Sequence, residues 1–65
     1  MTPLTLQQRA VVGMRADRMP VKTIARELGI STHTVYSHIK NARIALGIAS
    51  SHGLTAWVWQ QRGRA

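Results

Sequence analysis

This sequence has no cysteine and only two acidic residues, Asp17 and Glu27. The first absence excludes disulfides and every zinc site built on thiolates. The second leaves nine Lys and Arg almost unopposed, for a formal net charge of +7 on 65 residues. No apolar run approaches the roughly 18 residues of a transmembrane helix. The start, Met1-Thr2-Pro3-Leu4, lacks the positive segment and apolar core of a secretory signal. A cytoplasmic protein is the expectation. His33, His38 and His52 fall five and then fourteen residues apart, and neither spacing suits metal ligation. No metal and no other cofactor is expected. Nor is an enzyme, because there is no nucleophile–base motif, no acid/base pairing of the two acids and no Gly-rich phosphate loop.

What the chain does have is positive charge, and charge of one sign implies a polyanion. Nucleic acid and an anionic membrane surface are the two candidates. A merely solubilised surface is the bland alternative, but solubility does not require acidic residues to be so scarce. The length means one domain, residues 1–65. A chain this small buries only about 60% of the surface its unfolded form exposes. Stability from a partner or from dimerisation is therefore to be looked for.

Hydrophobic spacing predicts four helices and no strand. The first opens at Thr5, which forms a capping box with Gln8, and its apolar stripe is Ala10, Val11 and Met14. Gly13 costs this helix roughly 1 kcal/mol relative to Ala, and its bareness would let a neighbouring helix approach. The second starts at Pro20 and carries Val21, Ile24, Ala25 and Leu28 at i, i+3, i+4 and i+7. Gly29 follows as a left-handed stop, and Ile30 is expected to be buried in the turn. Ser31 caps the third helix, whose buried face is Val35, Ile39, Ala42 and Leu46. His33, Ser37, Lys40 and Ile44 lie almost opposite, flanked by Tyr36, Asn41 and Arg43. Gly47 ends that helix. The fourth opens near Ser50 and spans about 51–61, with Leu54, Trp57, Val58 and Gln61 on one face. Trp57 reads as core. Trp59 points away, either as a dimer or partner contact or packed against the first helix or the tail. The tail from Arg62 to Ala65 shows no periodicity and is expected to fray.

Two short helices joined by a three-residue turn, over about 21–46, make a helix-turn-helix. A purely structural hairpin would look similar at this level. The outward face of the third helix argues for more, because no acidic residue lies between Ser31 and Gly47. It offers Lys40 and Arg43 for phosphates or guanine, hydroxyls at Thr34 and Ser37, and His33, Tyr36 and Asn41 as further donors.

These residues resemble the LuxR/GerE-type DNA-binding domain, from Leu4 to about Gln60. Leu4-Thr5 matches the family's opening. The run from Ile24 to Ser31 matches its second helix and turn, and Thr34 to Asn41 its recognition helix. Leu46-Gly47-Ile48 and Ser50 match the exit and the start of the fourth helix. The resemblance implies an all-α, four-helix domain whose third helix enters the major groove of double-stranded DNA. It implies a homodimer formed largely through the fourth helix, with Thr55, Ala56, Trp59 and Gln60 as candidate partner contacts. Carried over by position, Tyr36, Ser37 and Lys40 face base edges and nearby phosphates. Lys22, His33 and Thr34 lie near the backbone. Asn41 and Arg43 complete the candidate DNA-binding set, and His38 reads as structural or backbone-directed. The setting implied is bacterial or phage-encoded and nucleoid-associated.

Several positions depart from the family's pattern. Gln7, Gln8 and Ala10 stand where acidic or charged residues are usual. Arg18 replaces a Gly before the second helix, so either Arg18 is left-handed or the turn differs. Tyr36 replaces a usual Lys and would meet a thymine methyl or a sugar rather than guanine. Gly53 replaces a Glu and weakens the start of the fourth helix. Only three residues precede Leu4 in this sequence, where family members typically carry a receiver or ligand-binding domain. The expectation is a regulator governed by abundance, by a partner or by competition for sites. The rival function is a small interaction module that binds RNA polymerase or a full-length regulator. A nonspecific DNA-coating protein is a third reading.

Overall fold

The computed structural model describes residues 4–63, which form α1 (Leu6–Ala16), α2 (Val21–Leu28), α3 (Thr32–Leu46) and α4 (Ser51–Gly63). Each start is chemically marked. The Gln8 backbone N–H donates to the Thr5 hydroxyl, and the Thr5 N–H donates back to the Gln8 side chain, both at 3.1 Å. Pro20 is the cap residue of α2, one position before the helix. The Ser31 hydroxyl accepts from the Thr34 N–H at 3.1 Å, and the Ser50 hydroxyl accepts from the Gly53 N–H at 3.1 Å. Each bond satisfies one of the donors that a helix leaves free in its first turn.

The ends of α1, α2 and α3 share one device. A left-handed residue follows each helix: Arg18 at φ 65°, Gly29 at 66° and Gly47 at 68°. In each case the next N–H reaches back to a carbonyl five residues earlier: Met19 to Met14 at 3.2 Å, Ile30 to Ala25 at 3.0 Å, and Ile48 to Arg43 at 2.8 Å. This is the Schellman arrangement, which typically brings an apolar residue just beyond the stop onto the helix. Met19, Ile30 and Ile48 are those residues, and all three are half-buried against the core. Of the two readings left open at Arg18, the left-handed one holds.

The core is Leu4, Val11, Val12, Ala16, Ile24, Ala25, Val35, Ile39, Ala42, Leu54 and Val58. It draws on all four helices, with α1 at its centre. That helix packs more extensively on α3 and α4 than on its sequence neighbour α2. Burial on two sides explains why the expected stripe of Ala10, Val11 and Met14 is incomplete. Val11, Val12 and Ala16 are the buried residues of α1, whereas Ala10 and Met14 are half-buried.

Two further expectations are corrected. The fourth helix runs to Gly63, and Arg62 is not part of a frayed end. Its guanidinium grips Asp17 with Nη1 to Oδ1 at 2.7 Å and Nη2 to Oδ2 at 3.3 Å. Arg64 and Ala65 lie outside the described residues. What approaches Gly13 is this same guanidinium rather than a helix backbone, with Nη2 3.4 Å from the Gly13 carbonyl. Arg62 thus ties α4 to the C-terminal end of α1. Gly53 also has a positive reason to be glycine. A β-carbon there would stand 2.9 Å from Cγ2 of Ile48.

Candidate nucleic-acid interface

The outward side of α3 is built by subtraction. Val35, Ile39 and Ala42 are buried and turn one arc of the helix into the core. At about 100° per residue, His33, Ser37, Lys40 and Ile44 come out on the other side. His33, Tyr36, Lys40, Asn41 and Ile44 are exposed, and Ser37 is half-buried. Tyr36, Lys40 and Ile44 follow one another at i, i+4 and i+8, so they form a single ridge. The chain's two acids, Asp17 and Glu27, both lie outside α3, so no carboxylate opposes an approaching phosphate from this face.

Other candidates take places of their own. Lys22 is exposed in the first turn of α2. Thr34 is half-buried in the first turn of α3, and its hydroxyl lies 2.9 Å from that of Ser31. Within the protein that hydroxyl already has a partner. His38 is half-buried at the edge of the buried arc. Arg43 turns away from the ridge, and its Nη1 donates to the Ala49 carbonyl at 2.8 Å, clasping the α3–α4 turn. The four basic or polar side chains the structure groups on the outward side are therefore His33, Ser37, Lys40 and Asn41, with Tyr36 beside them.

The candidate partner face lies on α4. Ala56, Trp59 and Gln60 are exposed, and Thr55 is half-buried. The Thr55 hydroxyl donates to the Ser51 carbonyl of its own helix at 3.3 Å. Trp59 is 55% exposed and does not join the core. The Arg62 guanidinium sits 5.0 Å from the centre of its ring. Trp57, by contrast, is half-buried against the core.

Two residues acquire roles that the sequence did not suggest. Arg62 carries no periodic signal, and its partner Asp17 lies 45 residues away. The hydrogen bond from Arg62 holds the Asp17 carboxyl below its ordinary value of 3.8, with partial desolvation opposing and the Arg62 charge assisting. Ile44 is placed on the outward arc by helical spacing, but its 68% exposure is what makes it conspicuous. Among the described residues, no group of three or more His, Cys, Asp or Glu is placed to hold a metal ion. Nor is any helix among them long and apolar enough to cross a membrane.

Comparison with known proteins agrees with this geometry. The Transcriptional regulatory protein UhpA of Escherichia coli (strain K12) is 44% identical over 48 residues, which is 74% of this chain and 24% of that protein. The protein of the same name from Salmonella typhimurium (strain LT2) matches to the same extent. The matched segment thus spans about a quarter of these relatives. The family model described as bacterial regulatory proteins, luxR family, matches residues 2–58. With its four helices and that match, the chain belongs to the luxR family of bacterial regulatory proteins and is a DNA-binding transcription regulator domain of that family.

Proposed function

We propose that α3 lies in the major groove and that the domain binds a specific double-stranded sequence as a homodimer. The observation that carries this reading is the acid-free outward side of α3, with Lys40 at its middle and Tyr36, Ser37 and Asn41 around it. The groove is about 12 Å wide and admits one helix. Lys22, at the start of α2, and His33, at the start of α3, reach for phosphates and fix the register. Affinity comes mainly from counterion release by the basic side chains, and choice of sequence from the ridge. Ala56, Trp59 and Gln60, with the half-buried Thr55 at their edge, offer a second copy one methyl, one indole and one amide. An exposed aromatic among small residues suits the centre of such a contact.

Selection from random duplexes, followed by titration of the selected site, tests this reading. Lys40→Ala is expected to lose about 1–3 kcal/mol of binding to that site. Equal affinity for random and selected duplexes would leave only nonspecific coating. Paired half-sites in the selected sequences would report the dimer. RNA polymerase or a longer regulator is the rival occupant of the Trp59 face. Retention of either from nuclease-treated lysate, lost in Trp59→Ala, would favour that rival.

A further inference from the structure

We propose that the ridge of α3 reads thymine methyl groups at two places, through Tyr36 and through Ile44. This rests on the placement of α3 in the major groove. Tyr36 is 60% exposed and Ile44 68% exposed, and both stand clear of the arc that Val35, Ile39 and Ala42 turn into the core. A lone exposed apolar residue needs no explanation. These two, however, share one ridge with Lys40 between them, on a helix without a carboxylate.

The chemistry of the groove narrows what can meet them. Base edges there offer donors, acceptors and a single apolar group, the C5-methyl of thymine. Hydrocarbon placed against the O6 and N7 of guanine would strand two acceptors without partners. Packed on a methyl, it removes apolar surface from both molecules. Charge does not compete for this end of the helix, because Arg43 is turned back onto the Ala49 carbonyl. The outward side is therefore cationic at its middle and carbon at its C-terminal end.

The helix also sets a ruler. Eight residues at about 1.5 Å each separate Tyr36 from Ile44 by roughly 12 Å along the axis. At about 3.4 Å per base pair, that is three to four base pairs. Each half-site should hold two thymines at that separation, on either strand, with the Lys40 contact between them.

Replacing each thymine of the selected site by deoxyuridine removes one methyl and nothing else. A buried methyl is worth roughly a fourfold change in affinity per contact, and about fifteenfold when both half-sites are changed. Losses of that size are expected at two positions three to four base pairs apart. One should vanish in Ile44→Ala and the other in Tyr36→Ala. Both side chains are exposed, so neither variant disturbs the core. A flat uracil series alongside a weakened Lys40→Ala overturns the methyl contacts and leaves the placement of α3 standing. A methyl effect that persists unchanged in Ile44→Ala overturns the role of Ile44. If Lys40→Ala also binds as well as the parent, the placement of α3 falls, and this inference with it.

Discussion

Arg18 occupies a backbone conformation that the chain gives to glycine at its two equivalent sites. Its φ of 65° sits beside 66° at Gly29 and 68° at Gly47. Replacing it by glycine should therefore stabilise the domain. A side chain in the left-handed region costs roughly 1–2 kcal/mol through crowding of its β-carbon. Glycine gives back about 0.5–1 kcal/mol, because its unfolded chain is freer. The Arg18 N–H bond to the Arg15 carbonyl, 3.0 Å, is a backbone bond that glycine keeps. The net gain is roughly 0.5–1 kcal/mol, which for a domain of this size raises the melting temperature by about 2–8 °C. Thermal unfolding followed by far-ultraviolet circular dichroism would measure it. A rival origin must be separated, since Arg15, Arg18 and His52 line one shallow cavity and deleting a charge there relieves repulsion. Arg18→Ala makes the separation. Alanine loses the charge but keeps the β-carbon, so it should gain little or nothing. Equal stabilisation by alanine and glycine would refute the backbone argument and assign the effect to charge. A lower melting temperature for glycine would show that the strain at Arg18 is smaller than the roughly 0.5–1 kcal/mol that glycine's extra freedom costs.

Gly53→Ala tests the opposite sign at another glycine. Helix propensity favours alanine by up to about 1 kcal/mol, but overpacking against Cγ2 of Ile48 costs typically 1–3 kcal/mol. Net loss is expected in a urea melt, turning to a gain in an Ile48→Ala background, where the obstructing methyl is gone. Gain in the parent background would show that the contact relaxes freely. Asp17→Asn tests the α1–α4 tie through pH. The folded carboxyl titrates below its ordinary value of 3.8, so its contribution is present above that value and drains away as pH falls through the lowered folded one. The parent should thus exceed Asp17→Asn in stability at neutral pH and converge with it under strong acid. Both side chains are about half open to solvent, so added salt should shrink the difference. A gap that survives strong acid would mean that Asp17 acts other than by charge.

Signals confined to three or four neighbouring residues were legible in the sequence. The Thr5–Gln8 box, the Ser31 cap, and the stops at Gly29 and Gly47 each depend on contacts of that range, which spacing alone reveals. The packed arc of α3 was legible for the same reason. Contacts between distant elements were not. Val12 and Ala16 fall outside a one-sided stripe because α1 is covered from two sides, and a single helical period cannot express that. Arg62 looked like tail because its partner is one of only two acids, 45 residues upstream. Gly53 looked like a defect because Ile48 meets it only once the α3–α4 turn has closed. On the outward side, spacing placed Ile44 correctly but could not weigh its exposure. It also could not show that Arg43 bends away to the Ala49 carbonyl.

The central position of α1 has a consequence for synthesis on the ribosome. Within the domain α1 leans chiefly on α3 and α4, so its Val12 and Ala16 emerge before the Leu54 and Val58 that complete the same core. At about 5–20 residues per second, the interval between α1 and α4 lasts some seconds. During that time α2 and α3 can hold their caps and turn, yet the core lacks the wall that α4 supplies. The tie that Arg62 makes to Asp17 is then among the last of these contacts to form, and it joins the earliest of the four helices to the latest. Closure of this core therefore waits on the synthesis of α4, and the apolar side of α1 is the surface a chaperone would meet in the meantime.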